Sequence, residues 1–327
     1  MNETTQRIVQ ILRNAEGAVS GECIRQTLGL SRAAVWKHIQ SLREYGYRID
    51  AASRRGYRFR AAPNLPLPAE IAPRLGKTCL AYNMAFRESV DSTNREAVVQ
   101  ADKGRPEGTV IIADQQTGGR GRMERTWFSP PGKNLYLSII LRPDVPPAAG
   151  PGISLVAALA GVRSISAVCP ALSPRIKWPN DIYLQQAKVA GILCDMKSEV
   201  DRIHYLVLGV GMNVNITADE FPVDIRDRAT SLRSHLSQDI DRSALAAAFL
   251  VALDTLYAVW LDRGVHPLLG ELMERSVLLG RRVSISGPRG PLRGIALRFA
   301  DDGALILRLD DGKEQKIVSG DVHVSAW

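Results

Sequence analysis

Residues 31–60 read SRAAVWKHIQSLREYGYRIDAASRRGYRFR. Ser31 is a helix-capping residue, and Val35, Ile39 and Leu42 follow at the spacing of one helical face until Gly46 ends the pattern. From Tyr47 onward apolar and polar residues alternate on both sides of Ser53-Arg54-Arg55-Gly56, which predicts a β-hairpin with arginines at its tip. Working outward, Ile8, Ile11 and Leu12 mark a helix over residues 4–14, closed by Gly17. Ser20 caps a short second helix carrying Ile24 and Leu28, and Gly29 supplies the tight turn before Ser31. Three helices and a hairpin make a winged helix-turn-helix, an arrangement that sets its last helix into the DNA major groove. Away from its apolar stripe that helix carries Arg32, Lys37, His38, Gln40 and Ser41. With Ser31 and the wing residues Arg54 and Arg55, these are the candidate contacts to phosphates and base edges. A winged helix that binds protein presents a similar polar face, so the DNA reading rests also on charge. The chain carries +8, of which +6 falls within residues 1–62 and +2 on the rest.

The segment Pro63-Asn64-Leu65-Pro66-Leu67-Pro68 continues neither a helix nor an interior strand and is expected to be a stiff linker. Beyond it, strand-like runs (108–113, 135–141, 175–178, 182–184, 190–196, 205–210) mix with an alanine-rich helix from Ile153 to about Val168 and a long one near Ser243 to Leu261. That predicts an α+β body with a mixed sheet and helices against one face. Short β-runs between residues 280 and 327, separated by Gly and Asp turns, predict a small β-barrel. At 327 residues, 45% hydrophobic and 23% charged, the chain has the material for two or three soluble globular domains. The run from Ala244 to Leu261 contains Asp254 and lacks interfacial anchors, so it is expected to be a buried helix rather than a membrane span. Cys23, Cys79, Cys169 and Cys194 form no CxxC pair and the five histidines have no zinc spacing. No metal site is therefore assigned, and reduced thiols in a cytoplasmic protein are expected.

Four clusters carry chemistry. Gln115-Gln116-Thr117-Gly118-Gly119-Arg120-Gly121-Arg122, followed by Trp127-Phe128-Ser129-Pro130, combines backbone freedom with two guanidinium forks and reads as an anion-wrapping loop. It is not a P-loop, because GxxxxGK[ST] occurs nowhere. Lys177-Trp178-Pro179-Asn180-Asp181, then Lys188-Val189-Ala190-Gly191-Ile192, places polar groups at a sheet edge and a lysine before a glycine-bearing strand; a tight turn with a solvated lysine is the plain alternative. Val90-Asp91-Ser92-Thr93-Asn94 offers hydroxyls and an amide that bind a small polar ligand or simply cap a helix. Gly209-Val210-Gly211-Met212-Asn213-Val214-Asn215 is a glycine pair after a strand, a weak pointer to a nucleotide on its own.

In this order, DSTN, QTGGRGR with WFSP, KWPNDI with KVAGIL, and GVGMNVN, behind a helix-turn-helix and ahead of a small β-domain, the chain resembles the bifunctional biotin–protein ligases that also repress the biotin operon. The resemblance spans nearly the whole chain. It implies a winged head (1–62), a linker (63–70), a class II synthetase-like ligase domain (71–274) and an SH3-like C-terminal β-barrel (275–327). It implies that ATP, with Mg²⁺ whose ligands are not assigned, and biotin form biotinyl-5′-AMP, and that the biotinyl group then passes to a lysine of a biotin carboxyl carrier protein, an acetyl-CoA carboxylase subunit. By the same resemblance Ser92, Thr93, Asn94, Gln116, Arg120, Gly121, Arg122 and Lys188 hold biotin, and Gly119, Trp127, Asn180 and Asn213 hold ATP or the adenylate. Lys188, Arg120, Arg122 and Asp181 carry catalysis, Asp181 as proton acceptor for the incoming lysine. The adenylate is then also the corepressor, pairing two chains on a two-fold operator, with no membrane involved. No functional residue is carried over in the C-terminal domain, and Met123-Glu124-Arg125 departs from relatives with a further Arg and Gly there, lowering the loop's charge. A lipoate-type acyl-adenylate ligase and a non-enzymatic sensing repressor remain the alternatives.

Overall fold

The computed structural model describes residues 3–52, 55–286 and 291–324. The head comprises α1 (Glu3–Asn14), α2 (Gly21–Leu28), α3 (Arg32–Glu44) and a hairpin of β1 (Arg48–Ala52) and β2 (Gly56–Ala61). Ser20 Oγ accepts from the Cys23 amide and Ser31 Oγ from the Ala34 amide, each satisfying a backbone donor that the first helical turn leaves unpaired. Ile8, Leu12, Ile24, Val35, Ile39 and Leu42 interlock as the head's core.

The stretch expected as a linker is not a free spacer. Leu67 is buried in the head's core, while Ile71, at the end of the short α4 (Pro68–Ile71), is buried in the core of the body. Between them Glu70, only 2% exposed, accepts from Arg13 Nη2 on both carboxylate oxygens, at 2.5 and 2.6 Å, and from the Tyr47 hydroxyl at 2.8 Å. Burial, then the Glu70 charge, pushes the Tyr47 phenol above its ordinary value.

The body is built on a seven-stranded sheet. Its elements are β3 (Asn83–Val90), α5 (Thr93–Asp102), β4 (Thr109–Gln116), β5 (Leu135–Leu141), α6 (Ile153–Val168), β6 (Arg175–Lys177), β7 (Asp181–Leu184), β8 (Ala187–Ser198) and β9 (Ile203–Met212). Then come α7 (Leu232–Leu236), α8 (Arg242–Arg263) and α9 (Leu269–Glu274). The strand order is β3-β4-β5-β9-β8-β7-β6, with β3 parallel to β4 and every other pair antiparallel.

The expectation of helices on one face is corrected here. α6 and α8 cover one face, over Val110, Ile112, Leu137, Ile139 and Leu208, and α5 covers the other, over Ile111, Ile140, Tyr205 and Val207. The reason is topological: a parallel β3–β4 pair requires a crossover, and α5 is that crossover. All seven residues of β5 are buried, as a strand covered on both faces must be.

Pro147–Val168 and Arg242–Arg263 are each long and apolar enough to cross a membrane, yet 67% and 56% of the two windows are buried inside the protein. They are core helices. Asp254 explains the acid within α8, since its carboxylate accepts the amides of Cys79 (3.0 Å) and Leu80 (2.7 Å).

The C-terminal unit contains β10 (Arg282–Ser286), β11 (Leu292–Phe299), β12 (Leu305–Leu309), β13 (Glu314–Ile317) and β14 (Asp321–Val324), all antiparallel, in the order β13-β12-β11-β10-β14. This five-stranded antiparallel sheet is the small β-rich C-terminal unit that the sequence predicts.

Candidate functional site

Three of the four sequence clusters meet where β4, β5, β8 and β9 lie side by side, and the fourth closes over them. At the start of α5, Ser92, Thr93 and Asn94 are all buried, and the Ser92 hydroxyl makes no cap bond to the helix. Gln116 Oε1 accepts from the Thr93 amide (2.9 Å) and hydroxyl (3.1 Å), while Gln116 Nε2 donates to Ser129 Oγ at 3.0 Å. Ser138, inside the apolar β5, donates to Asn94 Oδ1 at 2.6 Å and lies 2.8 Å from Thr93 Oγ1; Asn94 Nδ2 in turn donates to Asp195 at 3.0 Å. These side chains form one polar wall with fixed rotamers, the kind that orients a compact uncharged ring.

The anion-loop cluster folds back as a small hairpin. Gly121 donates to the Arg125 carbonyl at 2.7 Å and Trp127 to that of Gly119 at 2.9 Å, while Met123 and Glu124 both take positive φ near 56°. Arg120 Nη2 pairs with Glu124 at 2.6 Å, Arg122 Nη1 donates to Asn180 Oδ1 at 3.1 Å, and Arg125 is ion-paired with Asp321 of β14. Lys188 Nζ lies 2.5 Å from Asp181 Oδ1 and 5.4 Å from the centre of the Trp127 ring. Arg120 Nε and Trp127 Nε1 are buried donors with no hydrogen-bond partner among the described residues. Two orphaned donors in the same loop, one of them against a lysine, suit a ligand rich in acceptors and negative charge.

The glycine pair of β9 proves to be a packing device. A Cβ at Gly209 would fall on the Asn94 carboxamide and one at Gly211 on the Trp127 indole, so glycine at both positions lets the wall and the lid close onto the sheet. Asn213 sits one residue past β9, with Nδ2 donating to the Thr230 carbonyl at 3.0 Å and its amide to that of Val189 at 2.8 Å. Its side chain therefore ties the loop at 230 to the sheet. Asn180 is similarly engaged, Nδ2 donating to Ile192 at 2.6 Å. Lys177, beside Asp181, is held below the ordinary lysine range chiefly by burial, against the opposing charge of Asp181.

On the head, Arg32 and Lys37 are exposed along α3, with Gln40 half-buried one turn on from Trp36. Two expected contacts are placed differently. His38 is turned inward, its Nδ1 2.9 Å from Thr5 Oγ1 of α1, and the Ser31 hydroxyl is occupied as a cap. Ser41 is half-buried and Arg55 exposed, and Arg54 lies outside the described residues.

Sequence reasoning missed Ser129, Ser138, Asp195, Arg125 and Trp36. The first three are polar partners drawn from separate strands and loops; Ser129 stands inside the WFSP motif without a role assigned to it, and Ser138 is a lone hydroxyl inside an apolar run. Trp36, 59% exposed within a polar helix face, was legible as an anomaly.

The fold and site together define an acyl-adenylate-type ligase body under a winged head, and sequence comparison agrees. Residues 86–213 match the Biotin/lipoate A/B protein ligase family, residues 4–58 an HTH domain and residues 278–324 the Biotin protein ligase C terminal domain. The chain belongs to the biotin–protein ligase family, in its bifunctional ligase/repressor branch. It is 37% identical to the bifunctional ligase/repressor BirA of Bacillus spizizenii over 94% of each chain. It is 34% identical to the biotin–[acetyl-CoA-carboxylase] ligase of Mycobacterium tuberculosis, over 71% of this chain and 85% of that one. Among solved structures, the biotin protein ligase of Aquifex aeolicus in complex with biotin and ATP superposes with a TM-score of 0.64 at 28% identity, over 74% of this chain and 98% of that one.

Proposed function

We propose that this chain activates biotin with ATP, passes the biotinyl group to a lysine of a carboxyl carrier protein, and uses its winged head to repress transcription in response to the intermediate. The observation that carries the ligase reading is a buried hydroxyl–amide wall (Thr93, Asn94, Gln116, Ser138) and a set of orphaned donors with Lys188, both packed over the neighbouring strands β8 and β9. The first suits a ureido ring and the second a phosphate.

In the first step a carboxylate oxygen of biotin bonds to the α-phosphorus of ATP as the bond to the bridging oxygen breaks, releasing pyrophosphate. Two anions approach each other, so cations must neutralise the charge that builds up. We assign that role to Arg120, Arg122 and Lys188, with Gly119 and Gly121 letting the backbone close in. Trp127, Asn180 and Asn213 border the nucleotide side. Mg²⁺ fits as the companion of the triphosphate. Among the described residues no three acidic, His or Cys side chains gather to hold a metal by themselves.

In the second step the acceptor lysine nitrogen attacks the acyl carbon, AMP leaves and the nitrogen gives up a proton. Once Lys188 turns from Asp181 to phosphate, that carboxylate is free to accept it. Accordingly Asp181→Asn should spare adenylate synthesis and slow transfer from preformed biotinyl-5′-AMP, and undiminished transfer would remove Asp181 from that role. Incubation with biotin, ATP, Mg²⁺ and a carrier domain tests the whole reading. A carrier mass increased by one biotinyl group is expected, and an increase only with lipoate would favour the lipoate-type alternative.

For the head, we propose that Arg32, Lys37 and Gln40 meet DNA, with Trp36 contributing apolar contact to a thymine methyl. Adenylate-linked pairing of two chains on a two-fold operator completes the proposal. Operator affinity measured with and without biotinyl-5′-AMP tests it, and equal affinity defeats both the pairing and a pure sensor role. The unpaired thiols Cys23, Cys79, Cys169 and Cys194 support a reducing, cytoplasmic setting.

A further inference from the structure

Arg242, in the first turn of α8, is 1% exposed, yet it carries a full charge. Its guanidinium is shared by three segments that are far apart in sequence. Nε (2.9 Å) and Nη2 both donate to the carbonyl of Asn64 in the segment joining head to body. Nη1 donates to Asp114 Oδ1 of β4 at 2.8 Å and to the carbonyl of Asn134 at 2.9 Å. Those two partners lead onward to the nucleotide side. Asp114 Oδ2 accepts the Gly132 amide at 2.9 Å. Asn134, fully buried, accepts the Val214 amide at 2.9 Å and directs Nδ2 at Asn213 Oδ1, 3.5 Å away. The joining segment is gripped again by side chains: Asn64 Oδ1 accepts the Arg242 amide (3.0 Å), Asn64 Nδ2 donates to Ile240 (2.9 Å), and Ser243 Oγ donates to Leu65 (2.8 Å).

A buried guanidinium is costly unless every donor finds an acceptor. An apolar residue would fill this space at less cost, but only a planar fork reaches three acceptors held by three segments. We propose that Arg242 is a positioning residue for the nucleotide half of the site, and that the backbone of Asn64 is part of its seat, so that the placement of the head-to-body segment enters the apparent affinity for ATP. Arg242 touches no substrate. It acts through Asn134 and Asp114 on the loop at 132–134 and on Asn213. Among the described residues the biotin wall of Thr93, Asn94, Gln116 and Ser138 makes no hydrogen bond to it, so the two substrates should respond differently. This inference rests on the reading that Asn213 borders the nucleotide.

Biotin-dependent ATP–pyrophosphate exchange by the full chain tests it. Arg242→Lys keeps the charge and loses the fork; KM for ATP should rise on the order of tenfold, the consequence of losing one or two charged hydrogen bonds, while KM for biotin stays within about twofold and kcat is nearly unchanged. A purely structural role predicts instead that kcat follows the folded fraction while both KM values hold, and that result overturns the proposal. Asn64→Ala leaves Arg242 in place and removes two hydrogen bonds of the joining segment; it should raise KM for ATP about threefold, and it carries the test if Arg242→Lys does not fold. An unaltered KM for ATP in a folded Asn64→Ala chain overturns the part assigned to the joining segment. Failure of the ligase reading looks different, since the wild-type chain would then show no biotin-dependent exchange at all.

Discussion

At the residue scale the site is a set of cations held in check by nearby acceptors: Lys188 by Asp181, Arg120 by Glu124, Arg122 by the Asn180 amide and Arg125 by Asp321. Exchanging these partners for phosphate keeps each cation paired, so little is lost in the exchange even where the pair is partly buried, as Lys188–Asp181 is. Lys188→Ala is therefore expected to leave the thermal unfolding midpoint nearly unchanged while lowering biotin-dependent pyrophosphate exchange by about 100-fold or more. Intact exchange in that variant would remove Lys188 from the chemistry. The cysteines allow a second check. Burial, reinforced by the charge of Asp195, pushes the Cys194 thiol up to about 12, whereas Cys23 and Cys79 are exposed. Since the thiolate is the reactive form, mass mapping after maleimide treatment of the native chain at neutral pH should find adducts on Cys23 and Cys79 before any on Cys194.

Between elements, polar contacts join units that the sequence presents as separate. The first is the Glu70 clamp between α4 and the head. Arg13→Ala would strand a carboxylate that is 2% exposed, leaving Tyr47 and a distant Arg74 at 3.9 Å. The loss should be about 3 kcal/mol, the lower end for breaking a buried pair because Arg13 is itself partly solvated, and a denaturant titration of the wild-type and Arg13→Ala chains would measure it. The second is the contact of β14 with the anion loop. Burial raises the Asp321 carboxyl, but the Arg125 hydrogen bond and charge, with His323 and Arg122, bring it below its ordinary value. A carboxylate with a depressed folded pKa contributes stability above its unfolded value, near pH 4, and loses it as pH falls through the folded value. The difference in melting temperature between wild type and Asp321→Asn should therefore be present at pH 6 and close below about pH 4. A difference independent of pH would mean that packing, not charge, joins β14 to the loop. Trp178 Nε1, donating to the Gly303 carbonyl at 3.0 Å, ties the same two units from the buried side.

For the whole molecule, the uneven charge predicts how it meets DNA. Affinity should fall steeply with salt, and Lys37→Ala and Arg32→Ala should each lower the salt slope by about 1 if each neutralises one phosphate. An unchanged slope would place the DNA surface elsewhere. Local order was legible from the chain alone: the caps Ser20 and Ser31, the apolar stripes of α1 to α3, β5 at 135–141 and α6 at 153–168 all lie where spacing put them, because helix caps and periodicities are short-range properties. The glycine–arginine loop and the DSTN and KWPND clusters were legible too, since their residue types are unusual together. What stayed hidden was long-range. β3 (Asn83–Val90) has no clean alternation and escaped notice, and with it went the parallel pair that places α5 on the second face of the sheet. Asp195 and Asn134 are ordinary residues in sequence and, like Ser138, join the candidate site through hydrogen bonds between distant segments. By itself the sequence determined the parts, a winged head, a ligase body and a β-rich tail, and most of the groups able to carry charge. Only the tertiary structure decided that residues 66–71 are buried where head meets body, and that one buried guanidinium, Arg242, bonds Asn64, Asp114 and Asn134 together. The physical reason is that buried polar groups must find partners wherever in the chain these lie, and no local pattern records such partners.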